Sequence, residues 1–324
     1  MKYVVIIPAY NEAPRIGEAL KALALAAERA RPNQLLEIVI AFNGCNDGTQ
    51  DVVTSFGRRL NLPIHSLHCK KGYVNAINSL VKYCNNYYKN IPIIKTDADS
   101  MLDENAISIV LNELYEHNSL LIVGGHPVPI IQSPYSMSAI KARILSVRAR
   151  YPLSQVSCFD VRKYHEICKN SPQPNIGDHE LTLKIFFHGR FWCVRAISYL
   201  VDLPSGVLGD DVFFTAWIYK SYGPGVIRVR YDAKVIYRPY SSLRRHWMVY
   251  RRIYEDKRLV SSIPGYKDIQ NLQRVKLNWR YIIKNTTSTD KVLFVVYAMI
   301  DTLERFSFRF IKYKDSFWSY QDKE

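Results

Sequence analysis

The sequence predicts an α/β fold: a mostly parallel sheet with helices on both faces, continued by a basic, helical C-terminal extension. Three observations carry this expectation. Short β-rich apolar runs at 3–7 and 38–41 each stop at a polar loop and alternate with helical stretches, the pattern of a parallel sheet that binds ligands at its carboxyl edge. Another apolar run, 91–94, leads into Thr96-Asp97-Ala98-Asp99-Ser100, where two carboxylates two residues apart leave a strand end on one side. Residues 238–258 hold seven basic side chains against two acidic ones, with Trp247, Tyr250 and Tyr254 at helical spacing.

Taken in order, a strand at 3–8 stops at Pro8-Ala9-Tyr10-Asn11-Glu12. A strand at 36–42 stops at Asn43-Gly44-Cys45-Asn46-Asp47-Gly48-Thr49, a turn cluster that opens a helix. Strands at 63–67, 91–96 and 119–125 follow, with helices between. Residues 126–237 form a second segment that includes the loop Ser171-Pro172-Gln173-Pro174-Asn175, and 238–324 form the extension. No internal repeat, low-complexity tract or long Gly/Ser linker divides the chain. Nine apolar residues at 292–300 are about half of the roughly 20 needed to span a bilayer. Leu303, Phe306 and Phe310 extend that face, giving an amphipathic helix either docked on the protein or lying in a membrane interface.

With 324 residues, 48% of them hydrophobic, the chain can bury a large core in one or two domains. Six scattered cysteines without a Cys-x-x-Cys pair, and no apolar leader before the first strand, give the expectation of reduced thiols in a cytoplasmic protein. His65, His68 and Cys69 lack a fourth partner for zinc. The formal net charge of +15 implies an anionic partner: a nucleotide diphosphate, acidic lipid headgroups or nucleic acid. For the basic run at 238–258 three readings stay open, namely packing or phosphate contact, an anionic membrane surface, and nucleic acid.

A carboxylate pair at a strand's carboxyl edge suits a hard divalent cation that keeps several waters and clamps a diphosphate, whereas an isolated Asp-x-Asp is often only a turn. Here the surrounding pieces decide. Pro8-Ala9-Tyr10-Asn11-Glu12, the 43–49 cluster, Lys71-Gly72 with Asn75-Ala76 and Asn78, Asp97-Ala98-Asp99, Gly189 with Arg195, and Gly209-Asp210-Asp211 resemble, in order and spacing over residues 1–240, the inverting GT-A glycosyltransferases of family 2. The resemblance implies a GT-A, Rossmann-like domain whose nucleotide-sugar half is 1–125 and whose acceptor half is 126–237.

It further implies Asp99 as metal ligand, with Asp97 at the ribose or metal-bound water, and Mn²⁺ or Mg²⁺ as the cofactor. Asp211, with Asp210 beside it, takes the place of the catalytic base; the competing reading is favourable charge at a helix start. Pro8, Ala9, Tyr10 and Glu12 line the nucleoside pocket, and Lys71 reaches the base or diphosphate. Two departures stand out. Phe42-Asn43 replaces the acidic pair that ends the second strand in many relatives, although the Asn43 amide can still bond a base edge, which keeps uridine as the expected base. Leu243-Arg244-Arg245-His246-Trp247 keeps the tryptophan of the family's Gln-x-x-Arg-Trp motif and lacks its other members, which argues against a processive polysaccharide synthase.

The expected function is transfer of a sugar from a nucleotide-diphosphate donor to a lipid-linked or cell-surface glycan acceptor, at the cytosolic face of a membrane. Arg195, Arg244, His246 and Trp247 are the phosphate or acceptor candidates. The rival enzyme reading is transfer onto a polyprenyl phosphate, with Arg195 and Arg244 as the basic pocket. A nucleic-acid-binding protein leaves the strand-end carboxylates without purpose, since they repel a phosphate backbone; no nucleic-acid partner is expected. A catalytically inactive scaffold does not explain the intact Asp97, Asp99 and Asp211.

Overall fold

The computed structural model describes residues 1–130, 136–159, 187–267, 273–308 and 310. The expected loop at 171–175 lies outside these residues. In chain order the elements are β1 (Lys2–Ala9), α1 (Ile16–Arg29), β2 (Gln34–Phe42), α2 (Thr49–Arg59), β3 (Ile64–His68), α3 (Tyr73–Tyr87), β4 (Ile93–Thr96), β5 (Met101–Leu102), α4 (Ala106–Glu116), β6 (Ile122–Pro129), α5 (Met137–Leu145), α6 (Val147–Arg150), β7 (Gln155–Phe159), β8 (Phe191–Val194), α7 (Asp210–Tyr222), β9 (Ile227–Tyr237), α8 (Leu243–Ser262), β10 (Gln273–Leu277), α9 (Trp279–Asn285) and α10 (Ser288–Ser307).

Eight strands form one sheet in the order β3-β2-β1-β4-β8-β6-β9-β5. The pairs β1–β2, β1–β4, β2–β3 and β6–β9 are parallel. Strand β8 enters between β4 and β6 antiparallel to both, and β5 closes the edge antiparallel to β9. The sheet is therefore mixed, with four parallel strands (β3-β2-β1-β4) on one side of β8 and the parallel pair β6–β9 on the other. A short antiparallel ladder, β10 with β7, lies apart from it.

The alternation of side chains along β1 shows why the run is apolar throughout. Val4 and Ile6 face a core shared with Ala76, Ile77 and Leu80 of α3 and Val212, Phe213 and Ala216 of α7. Tyr3, Val5 and Ile7 face the opposite core, with Ile16, Leu20 and Leu23 of α1 and Ile107, Val110 and Leu111 of α4. A strand covered on both faces has no solvent side on which to place polar residues. A third, smaller cluster (Val147, Ile282, Phe294, Tyr297) joins α6, α9 and α10.

In α8, Trp247 donates to Ser307 Oγ at 2.8 Å, Trp247 and Tyr254 contact the Phe308 ring, and Tyr250 stacks on His246. The aromatic stripe of the basic run thus packs against α10 and its own helix. What faces outward instead is α10: Val292, Val295, Met299, Leu303 and Phe306 recur at three- and four-residue steps and are each at least half exposed. No helix of the described residues is long and apolar enough to cross a membrane.

Candidate active site

The carboxyl ends of β1, β2 and β4 open onto a cavity of about 300 Å³. Pro8, Ala9, Tyr10, Glu12, Asn43, Asp97, Asp99, Asp210, Asp211 and His246 all line it, so ten of the sequence-derived site residues come together there. The first two loops are knitted to each other. Glu12 N–H donates to Thr49 Oγ1 (2.8 Å), Ala13 N–H to Asp47 Oδ2 (3.0 Å) and Asn46 N–H to Asn11 Oδ1 (3.0 Å). Asn43 is buried and its Oδ1 accepts from Gly72 N–H at 2.5 Å, tying the third loop to the second. Lys71, outside the cavity lining, holds its ammonium 4.7 Å from the Tyr10 ring centroid.

Beneath the Asp97-Asp99 loop lies a cation that the sequence reading passed over. Lys95, within β4, is fully buried. A buried ammonium costs several kcal/mol unless it is paired. Its Nζ lies 2.5 Å from Asp97 Oδ1 and 3.8 Å from Asp210 Oδ2, and also donates to the Gly189 carbonyl. Burial lowers its pKa, but the Asp210 and Asp97 charges outweigh burial and hold it above the usual lysine range. The signal was legible: one charge in an otherwise apolar run. Arg190, next to the flagged Gly189, was also missed; it pairs with Asp99 at 2.8 Å.

The two acidic residues opening α7 have different tasks. Asp210 is buried, with Tyr73 O–H donating to its Oδ1 (2.7 Å) and Trp192 Nε1–H to its Oδ2 (2.9 Å). Both oxygens are engaged in anchoring the helix. Asp211 faces the cavity, accepting from Gly189 N–H at 3.1 Å and Val212 N–H at 2.9 Å. Burial first, and the Asp210 charge second, push its pKa up to about 6, the poise of a group that takes up a proton near neutrality. Gly189 leaves little room for a side chain: a Cβ there would lie 3.1 Å from Asp210 Oδ1 and 3.2 Å from Asp211 Oδ2, so the carboxylates would have to shift by a few tenths of an ångström.

The C-terminal extension supplies one wall. Arg245, Val249, Arg252 and Asp256, at four-, three- and four-residue steps along α8, line the cavity. Asp256, one of two acidic residues in the basic run, accepts from Leu208 N–H at 2.7 Å. Burial, then the Asp211 charge, raise its pKa to about 7. His246 is buried against Glu304 of α10 (2.8 Å), which fixes α8 on α10.

Three candidates stand elsewhere. Arg195 donates to the Leu120 (2.7 Å), His117 (2.8 Å) and Leu114 carbonyls at the end of α4. The exposed backbone oxygens of a helix C-terminus attract a guanidinium, and these hold it away from the cavity. Trp247 faces Ser307, and Arg244 is exposed on the first turn of α8. His65 and His68 stack on Tyr83 and Phe42, and among the described residues no group of three or more His, Cys, Asp or Glu side chains could hold a metal ion alone.

A strand-end cavity with paired carboxylates, set in a mixed sheet covered on both faces, agrees with the GT-A fold that the sequence resemblance implies for the chain. Its family follows from comparison with known proteins: the model of glycosyl transferase family 2 matches residues 4–193, over half of the chain, and the chain belongs to that family. It is similar to the poly(ribitol-phosphate) beta-N-acetylglucosaminyltransferase TarS of Staphylococcus aureus, 27% identical over 166 residues that make up 49% of this chain and 27% of that protein. To the poly-beta-1,6-N-acetyl-D-glucosamine synthase of Staphylococcus epidermidis it is 24% identical over 122 residues, 38% of this chain and 27% of the other. The matched segment is thus about a quarter of the curated relatives' length.

Among solved structures, the mannosyltransferase PcManGT from Pyrobaculum calidifontis, in complex with GDP-Man and Mn²⁺, superposes with a TM-score of 0.52 at 15% identity, covering 94% of this chain and 75% of that one. Residues 1–349 of S. aureus TarS superpose with a TM-score of 0.50 at 14% identity, covering 92% and 72%. At such identities the likeness is one of fold. It confirms the GT-A architecture that the sequence implies.

Proposed function

We propose that this glycosyltransferase is inverting and uses a divalent cation to move a sugar from a UDP-sugar to a hydroxyl of a lipid-linked or cell-surface glycan acceptor. The observation that carries the reading is the convergence on one cavity of Asp97 and Asp99 from the end of β4 with Asp211 from the start of α7. Asp211 takes the proton of the acceptor hydroxyl as its oxygen forms a bond to the anomeric carbon. The bond from that carbon to the diphosphate oxygen breaks, and its electrons leave with the nucleotide. The Gly189 and Val212 amides hold the Asp211 carboxylate, while Tyr73, Trp192 and Lys95 fix the neighbouring Asp210.

The residues fit a hard cation. Asp99 and Asp97 offer carboxylate oxygens at the cavity, and as no group of three or more His, Cys, Asp or Glu ligands occurs among the described residues, a cation held there would need diphosphate oxygens and water as well. When bound, Mn²⁺ or Mg²⁺ would neutralise charge developing on the departing diphosphate. The PcManGT complex with GDP-Man and Mn²⁺ lends support to a metal and leaves the base open. Donor hydrolysis across a panel of UDP- and GDP-sugars with Mn²⁺ tests base and sugar together. Hydrolysis of none of them, alongside no calorimetric binding of UDP, would remove the reading.

A second reading, transfer onto a polyprenyl phosphate, draws on Arg245 and Arg252 at the cavity in place of Arg195 and Arg244. A phosphate oxygen needs no base, so activity that survives Asp211→Asn selects it. For the membrane, the exposed apolar face of α10 is the contact we propose. The segment around it is strongly basic, with 18 basic residues against 9 acidic ones over 238–324, which complements an anionic bilayer.

A further inference from the structure

Both carboxylates of the Asp97-Asp99 loop already face cations of the chain, and the two cations differ in exposure, the Lys95 side chain being 1% accessible and that of Arg190 13%. Lys95 is enclosed in the sheet, fixed by Asp97, the Gly189 carbonyl and Asp210. Arg190 lines the cavity. Its Nη1 donates to Asp99 Oδ1 at 2.8 Å and to Ser100 Oγ at 3.0 Å, and stands 3.9 Å from Asp97 Oδ2. The guanidinium rests 4.6 Å from the Tyr237 ring centroid. Arg190 therefore occupies Asp99 Oδ1, one of the two carboxylate oxygens open to a metal, on a side chain long enough to withdraw.

Two positive charges cannot share Asp99 without repulsion, while a diphosphate offers a guanidinium a bidentate partner of its own. With no group of three ligands among the described residues, the protein alone makes an incomplete metal site. Resting on the nucleotide-sugar reading of the cavity, we propose that Arg190 is a resident counter-ion that competes with the divalent cation for Asp99, so that metal enters with the diphosphate, whose oxygens draw the guanidinium away. Arg190 is then a positioning residue that couples metal binding to donor binding. It keeps the acidic loop neutralised between turnovers.

The test is calorimetric titration of Mn²⁺ into the full chain, with and without saturating UDP, for wild type, Arg190→Gln and Asp99→Ala. The expected result is that Arg190→Gln binds Mn²⁺ alone at least about tenfold more tightly than wild type, and that the gain in Mn²⁺ affinity on adding UDP shrinks by a similar factor. Asp99→Ala abolishes both. Arg190→Met keeps the apolar stem over Tyr237 and gives the same readout should the glutamine variant unfold. Mn²⁺ affinity in Arg190→Gln no higher than in wild type overturns the competition. So does UDP binding that is indifferent to Mn²⁺ yet lost in Arg190→Gln, because the guanidinium would then replace the metal permanently. Saturable UDP binding with an unchanged Mn²⁺ affinity rejects only the role of Arg190, whereas no UDP binding by any variant rejects the donor site itself.

Discussion

Asp256 of α8 accepts a hydrogen bond from the Leu208 amide at 2.7 Å, and so a helix of the C-terminal extension holds the loop that presents Asp210 and Asp211. The proposed catalytic geometry is thus built by elements nearly fifty residues apart. Removing the Asp256 carboxylate leaves the Leu208 N–H without its acceptor and frees the loop. Asp256→Ala is expected to lower the transfer rate by about tenfold with donor affinity retained, and Asp256→Asn, which keeps an acceptor oxygen, to lower it less. Wild-type turnover in the alanine variant would show that the loop needs no such tether.

Asp211→Asn keeps the shape of the side chain and removes its basicity. Transfer to a hydroxyl acceptor is expected to fall by at least about a hundredfold while calorimetry finds the UDP affinity unchanged. A loss below tenfold assigns the base to another group.

The same carboxyl, as the proposed base, is expected to set the acid limb of the pH profile. Burial and the neighbouring Asp210 charge raise the Asp211 pKa to about 6, and only the ionised form accepts a proton. The sign is therefore fixed: kcat/KM rises with pH through about 6 and then levels off. Initial rates from pH 4.5 to 8 measure it, and a limb near pH 4 would mean that the base is an unperturbed carboxylate.

At Gly189 the backbone approaches the carboxylates so closely that a methyl group must displace them. Gly189→Ala places its Cβ 3.1 Å from Asp210 Oδ1 and 3.2 Å from Asp211 Oδ2. We expect transfer to drop by roughly tenfold or more, because small misplacements of a reacting group are costly, with little change in the unfolding temperature. A variant as active as wild type would show that the Asp211 position has slack.

The apolar face of α10 gives the membrane prediction. Full burial of one such side chain stabilises by about 1.5–3 kcal/mol, so Met299, Leu303 and Phe306 together supply several kcal/mol of insertion. The triple serine variant is expected to stop sedimenting with anionic liposomes while donor hydrolysis continues, since these side chains are exposed and serve no core. Sedimentation that persists in the triple variant would place the lipid contact elsewhere on the protein, and a wild type that never sediments would remove the membrane reading of this face.

By itself the sequence determined β1–β4 and β6 and the loops at their ends, whereas β5 and β7–β10 are not among the strands expected from it. Apolar runs, turn clusters and paired carboxylates are local patterns, and β1, β2, β3, β4 and β6 lie where those patterns put them, with Pro8, Asn43, Asp99 and Asp211 around one cavity. Lys95 is a lone charge in an apolar run that the sequence reading passed over, and nothing local to it names Asp210, 115 positions away, as its partner. Only tertiary structure decided that Asp210 would be held by Tyr73 and Trp192 while Asp211 faces the cavity, and that Arg195 would be captured by the end of α4. It also decided which amphipathic face meets protein. Periodicity gives α8 and α10 an apolar stripe each, and packing turned that of α8 inward and left α10's exposed. The physical reason is common to all of these: periodicity is a property of neighbours in the chain, whereas the pairing of charges and the burial of a face depend on which distant elements the sheet brings together.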